Sequence, residues 1–135
     1  LDDNPKTVVV GIDNLNSYYD ISLKQWRLSQ LVGYGSRFVF LEGNIADKNL
    51  VKGAFEMYRP SVVVNLAAQA GVRYSIEYPD AYIESNIVGF FNILEAFRHS
   101  YDNSQSGVRH LVYASSSSVY GSNSKVPYST DDRVD

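Results

Sequence analysis

Apolar positions along this chain fall into two alternating patterns. Thr7 to Ile12 (TVVVGI), Arg37 to Leu41 (RFVFL), Ser61 to Leu66 (SVVVNL) and Val108 to Tyr113 (VRHLVY) are short β-branched or aromatic runs bounded by turn residues, the pattern of strands in a sheet. Thr7 to Ile12 is apolar without alternation, which predicts a strand buried on both faces. Between these runs the spacing lengthens. Leu23, Trp26, Leu28 and Leu31 recur near helical spacing, a second helix is predicted over 48–58, and Ile83, Ile87, Phe90, Phe91, Leu94 and Phe97 recur in three- and four-residue steps behind Pro79. Strands alternating with helices predict an α/β domain with a mostly parallel sheet.

The breakers agree with this division. Gly33 and Gly35 end the first helix, Arg59-Pro60 breaks the chain before the third strand, and 101–107 (YDNSQSG) reads as an exposed connection. Asn16 to Asp20 and Gln69 to Tyr78 read as loops, the second with Arg73 near its centre. Asn86 and Gly89 interrupt the apolar face of the long helix, where Gly89 would allow close packing. No internal repeat or interdomain linker is present.

Composition narrows the function classes. At 135 residues, with 44% hydrophobic and 20% charged residues, the chain has the size and balance of one globular domain. A net charge of −3 with scattered basic residues argues against nucleic acid as a partner. Without cysteine there is neither a disulfide framework nor a thiolate metal site, and His99 and His110 lack ligand spacing to carboxylates, so no metal is expected. No apolar run approaches a membrane span and LDDNPKT does not read as a signal peptide, so the expectation is a cytoplasmic protein without membrane association.

Candidate chemistry gathers at the strand ends, where open parallel sheets bind ligands. Asp13 closes the first strand. There a carboxylate can accept hydrogen bonds from an adenosine ribose and repel a 2′-phosphate, which favours NAD over NADP; the same residue can simply begin a turn with Asn14. Asp47 reads as a helix cap before it reads as a ligand contact. Ala67 and Ala68 follow the third strand, where small side chains either admit a ligand to the backbone or permit tight packing. Arg73 offers a planar fork for a carboxylate or phosphate, or is a solvated charge. Ser115 to Ser118 mass four hydroxyls just past the fourth strand, either as chemistry or as a polar turn.

Three ordered segments, GIDNLNSYYD near the start, NLAAQAGVRYS in the middle and SSSSVYG near the end, resemble the extended short-chain dehydrogenase/reductase superfamily, and within it the nucleotide-sugar epimerases of the UDP-glucuronate 4-epimerase group. The resemblance implies a Rossmann-like, doubly wound sheet and NAD as cofactor. It places Asp13 on the adenosine ribose, with Asn14 and Leu15 lining the adenosine pocket. Asn44 and Ile45 would hold adenine, although the family carries an acid where Asn44 stands and only an amide oxygen remains to accept from the adenine amino group. Leu66, Ala67, Ala68 and Gln69 would line the pyrophosphate and nicotinamide ribose, with Asn86 and Ser115 supporting the cofactor site. Ser116 matches the catalytic hydroxyl, and Ser117, Ser118 and Arg73 are candidate substrate contacts.

The same resemblance exposes what is missing. No glycine triplet precedes Thr7, and the downstream Tyr-x-x-x-Lys and substrate-binding region do not appear, so the chain reads as an incomplete piece of a longer enzyme, inactive alone. For the full-length protein the expectation is NAD-dependent inversion at C4 of a UDP-sugar, UDP-glucuronate to UDP-galacturonate, through a 4-keto sugar, with a homodimer as the assembly. A related dehydratase, decarboxylase or reductase would share most segments but carry acidic residues beside the catalytic hydroxyl, which SSSSVYG lacks. An inactive NAD-sensing or interaction module is the alternative outside enzymes.

Overall fold

The computed structural model describes residues 1–102 and 107–134. β1 (Val9–Asp13) pairs in parallel with β2 (Phe38–Glu42), from Val9 opposite Phe38 to Asp13 opposite Glu42. A parallel pair needs a crossover, and α1 (Ile21–Ser29) provides it. Asp20 caps α1 by accepting from the Ser22 amide at 2.9 Å, and hydrogen bonding from Ser22 holds its carboxyl below the usual value. The helix gives way to a 3₁₀ stretch, Val32–Arg37, before either expected glycine ends it. Gly35, at φ 56°, then takes the left-handed turn into β2.

α2 (Lys48–Tyr58) matches the expected bounds because both ends are written locally. Asp47 accepts from the amides of Asn49 at 2.8 Å and Leu50 at 3.2 Å, and Arg59 ends the helix at φ 43° ahead of Pro60. β3 (Val62–Asn65) and β4 (His110–Tyr113) form a second parallel pair, from Val62 opposite His110 to Asn65 opposite Tyr113. Their crossover is long. It holds α3 (Val72–Glu77), α4 (Pro79–Tyr82), a wider π turn over Ile83–Gly89, and α5 (Phe90–Asp102). The 69–78 loop is thus corrected to a helix in its second half, and Arg73 sits on that helix. Of the expected 101–107 connection, 103–106 lies outside the described residues, and Tyr101 belongs to α5.

The fold is Rossmann-like α/β, with its parallel strands in two hydrogen-bonded pairs, β1 with β2 and β3 with β4. One core joins them. Ile45, Val51 and Ile93 are buried, with Ile12, Phe55, Val63, Ala96 and Leu111 packed against them, so β1, β3 and β4 each send one face toward α2 and α5. The opposite face is open: Val62 and Val64, flanking Val63, are 53% and 56% exposed. Nor is β1 buried on both faces, since Val9 is 38% exposed; a strand with one paired edge and one packed face cannot be.

The accessible surface is 10102 Å², against about 7,100 Å² for a compact monomer of 15.1 kDa. Among the described residues no helix is long and apolar enough to cross a membrane.

Candidate functional site

The carboxyl ends of β1, β2 and β3 open onto a cavity of about 230 Å³. Eight of the residues singled out in the sequence line it together: Asp13, Asn14, Asn44, Ile45, Leu66, Ala67, Ala68 and Gln69. They come from three strand ends far apart in sequence, and parallel pairing over a common core is what gathers them.

The turn reading of Asp13 is realised, and the side chain still lines the cavity. Its Oδ1 accepts from the Leu15 amide at 2.7 Å, closing a turn in which Leu15 takes φ 47° and is held outside the cavity lining. The same oxygen lies 3.5 Å from Lys24 Nζ, while half of the Asp13 side chain, 51%, stays exposed. Lys24 also donates to Asn16 Oδ1 at 3.0 Å. The carboxylate is therefore oriented toward the cavity and partly neutralised. Asn14 makes a further local turn, accepting from the Asn16 amide at 3.1 Å.

At the end of β2, both ends of the Asn44 amide are engaged. Oδ1 accepts from the Ala46 amide at 2.9 Å and Nδ2 donates to Glu84 at 3.2 Å, so one lone pair of Oδ1 and one N–H of Nδ2 are left for a ligand. Ile45 serves the cavity wall and the core together. Asn86 lies outside the lining but fixes the end of β3: it accepts from the Gln69 amide at 2.8 Å and donates to the Gln69 carbonyl at 2.9 Å. Glu84, Ser85 and Asn86 all belong to the π turn, whose wider pitch directs Glu84 and Asn86 to two different strand-end loops. Gly89 lets that turn approach; a Cβ there would lie 2.6 Å from Ile45 Cγ1.

Ala67 and Ala68 present small, exposed walls. The serine run is exposed and begins beside them, because the Ala114 amide donates to the Asn65 carbonyl at 3.0 Å and carries the β3–β4 ladder one step beyond the strands. Ser116 starts a 3₁₀ turn, Ser117–Tyr120, accepting from the Ser118 amide at 3.2 Å and donating to Ser118 Oγ at 3.1 Å. The polar-turn reading is thus realised, with the hydroxyls left accessible. Ser115, Ser116, Ser117, Ser118 and Arg73 are not brought into the cavity lining.

A larger groove of about 730 Å³ runs between α2 and α5, past Lys52, Arg59, Glu95 and His99. It lies on the helical face away from the strand ends and its charges pair locally, Lys52 with Glu56 and Glu95 with Arg98, so size alone does not mark the chemistry. Among the described residues no group of three acidic or histidine side chains is placed to hold a metal.

Sequence reasoning missed Tyr18, Tyr19, Lys24 and Ser85 in the lining. The first two lay in plain view as an aromatic pair inside a polar loop. Lys24 and Ser85 carried no signal, because only the pairing with Asp13 and the π turn direct them inward.

The family described as GDP-mannose 4,6 dehydratase matches residues 4–135. Protein CapI of Staphylococcus aureus is 49% identical over 94% of this chain and 36% of its own length. UDP-glucuronate 4-epimerase 2 of Arabidopsis thaliana is 50% identical over 94% of this chain and 28% of its own. Among solved structures, UDP-glucose-4-epimerase from Stenotrophomonas maltophila, with bound NAD and formylated UDP-arabinopyranose, superposes with a TM-score of 0.71 at 28% identity, over 94% of this chain and 35% of that one. The chain spans about a third of the length of the curated relatives it matches.

Proposed function

The chain belongs to the GDP-mannose 4,6 dehydratase family of the extended short-chain dehydrogenases/reductases, and from that premise we propose that it is the NAD-binding part of a UDP-sugar 4-epimerase acting on UDP-glucuronate. The observation that carries this reading is the convergence of Asp13 and the Ala67–Ala68 wall on one cavity, with a serine turn on the adjacent strand.

The residues fit a dinucleotide. Asp13 would accept from the adenosine ribose hydroxyls, Ile45 would pack on adenine, and the alanine pair would let the pyrophosphate approach the backbone. At about 230 Å³ the cavity is below the ~300–1,000 Å³ of ordinary small-molecule sites, the right scale for the adenosine half alone. A parallel strand and glycine-rich turn between β1 and β3 would pair both free edges and build the other half. The excess accessible surface supports such added elements.

When bound, the nicotinamide supplies hydride uptake from C4 and its return to the opposite face. Ser116 would hydrogen-bond O4 as its proton leaves to a general base in the rest of the protein. Ser117 and Ser118, the next two residues of the same turn, and Arg73 on α3 are proposed to hold the sugar and its carboxylate. The epimerase reading is favoured over dehydration because no acidic residue stands in SSSSVYG. UDP-glucuronate is favoured because the Arabidopsis thaliana relatives are UDP-glucuronate 4-epimerases. Incubating the full-length protein with UDP-glucuronate and following the sugar by proton NMR tests it. UDP-galacturonate at equilibrium with substrate is expected, whereas a decarboxylated pentose product, or no turnover, would overturn the assignment.

A further inference from the structure

Tyrosines 18, 19, 74, 78 and 82 form an aromatic cluster separate from the Ile45–Val51–Ile93 core. Tyr18 and Tyr19 follow β1 and line the cavity; Tyr74 and Tyr82 belong to α3 and α4, which follow β3. The Tyr18 ring lies 4.7 Å from Tyr74, which in turn stacks 4.5 Å from Tyr78. This contact therefore joins the segments that supply two walls of the cavity.

The attachment point is built for it. Gly71 has φ 100°, a conformation strained for any other residue, and a Cβ there would lie 2.5 Å from the Tyr18 hydroxyl oxygen and push the ring aside. From the other side, the Tyr82 hydroxyl shares its one proton between the Ala70 carbonyl, at 2.8 Å, and that of Gly71. Desolvation, followed by the nearby Tyr18, holds the Tyr82 phenol above its ordinary value.

Resting on the reading of this cavity as a dinucleotide site, we propose that the contact of Tyr18, in the cavity lining, with Tyr74, behind it on α3, is an aromatic strap at the cavity edge that sets how slowly the bound dinucleotide leaves. A C4 epimerisation removes a hydride and must return the same one, so loss of the reduced cofactor between the two steps strands the oxidised sugar. A strap of surface rings outside the core can open without unfolding the domain, and each ring contact that must break adds to the barrier for release. The tyrosines are positioning residues, since no bond to the sugar changes at them.

Stopped-flow displacement of NADH from the full-length protein tests the strap. Tyr18→Leu and Tyr74→Leu should each release NADH roughly three- to tenfold faster. The double variant should release NADH more slowly than the product of the two single effects requires, because both variants break the shared Tyr18–Tyr74 contact. Tyr18→Phe, which keeps the ring, should release at the original rate. Unchanged release in the leucine variants, or multiplying effects in the double variant, overturns the proposal. Should the leucine variants fail to fold, hydrogen exchange on the unmutated protein decides: NADH should slow the amides of 15–20 and 70–75 together, and protection of one segment alone overturns the strap. Failure of the unmutated protein to bind NADH overturns the dinucleotide reading itself.

Discussion

Asp13 meets two demands with one carboxylate, a turn to the Leu15 amide and an ion pair to Lys24. Neither consumes it, because a carboxylate offers about four acceptor sites. In the full-length protein, Asp13→Ala is expected to weaken NAD binding and narrow the preference for NAD over NADP, since it removes the proposed ribose acceptor and the charge that would repel a 2′-phosphate, and takes away the partner of Lys24. Titration with both cofactors checks this, and equal affinities in the unmutated protein would refute the assignment. At Ser116 the expectation concerns rate. Ser116→Ala should lower kcat by about 10²–10⁴-fold, or less if the general base suffices, with little change in substrate affinity. Ser116→Thr should retain much of the activity. Ser117→Ala and Ser118→Ala should act mainly on KM, although Ser118 also receives the Ser116 hydrogen bond. Near-normal kcat in Ser116→Ala, with collapse in either neighbour, would move the catalytic role along the turn.

Helix α2 and the π turn differ in where their instructions lie. The α2 boundaries are local, so Asp47→Ala should cost about 1 kcal/mol in urea unfolding and Asp47→Asn much less. The π turn is fixed by what it touches. A Cβ on Gly89 would meet Ile45 Cγ1 at 2.6 Å and Cδ1 at 2.7 Å, so Gly89→Ala in the full-length protein should destabilise by about 1–3 kcal/mol. It should also weaken NAD binding, because the displaced turn carries Asn86 away from Gln69. Stability lost with NAD affinity untouched would separate the turn from the site.

At the scale of the whole molecule, the accessible surface exceeds that of a compact monomer of this mass by roughly 3,000 Å². Apolar side chains such as Val62, Val64, Leu66 and Val72 make up part of it. Residues 1–135 expressed alone should therefore bind an apolar dye or self-associate, bind NAD very weakly and show no epimerase activity. Tight, stoichiometric NAD binding to that chain by calorimetry would refute the need for further cofactor-binding elements.

The amino-acid sequence by itself determined the alternation of strands and helices, the cap at Asp47, the break at Arg59-Pro60, and the family, because each rests on spacing or chemistry within a few residues or on short ordered motifs. The bounds of α2 and the residues at three strand ends were legible for that reason. The π turn, the helix at Val72–Glu77 and the pairing of Lys24 with Asp13 were decided only in three dimensions. Each depends on partners distant in the chain or on a surface met after folding. Nor could the run at Val8 to Val10 reveal that it lacks a covering face, since apolar composition records what a strand is suited to bury and not which neighbours cover it.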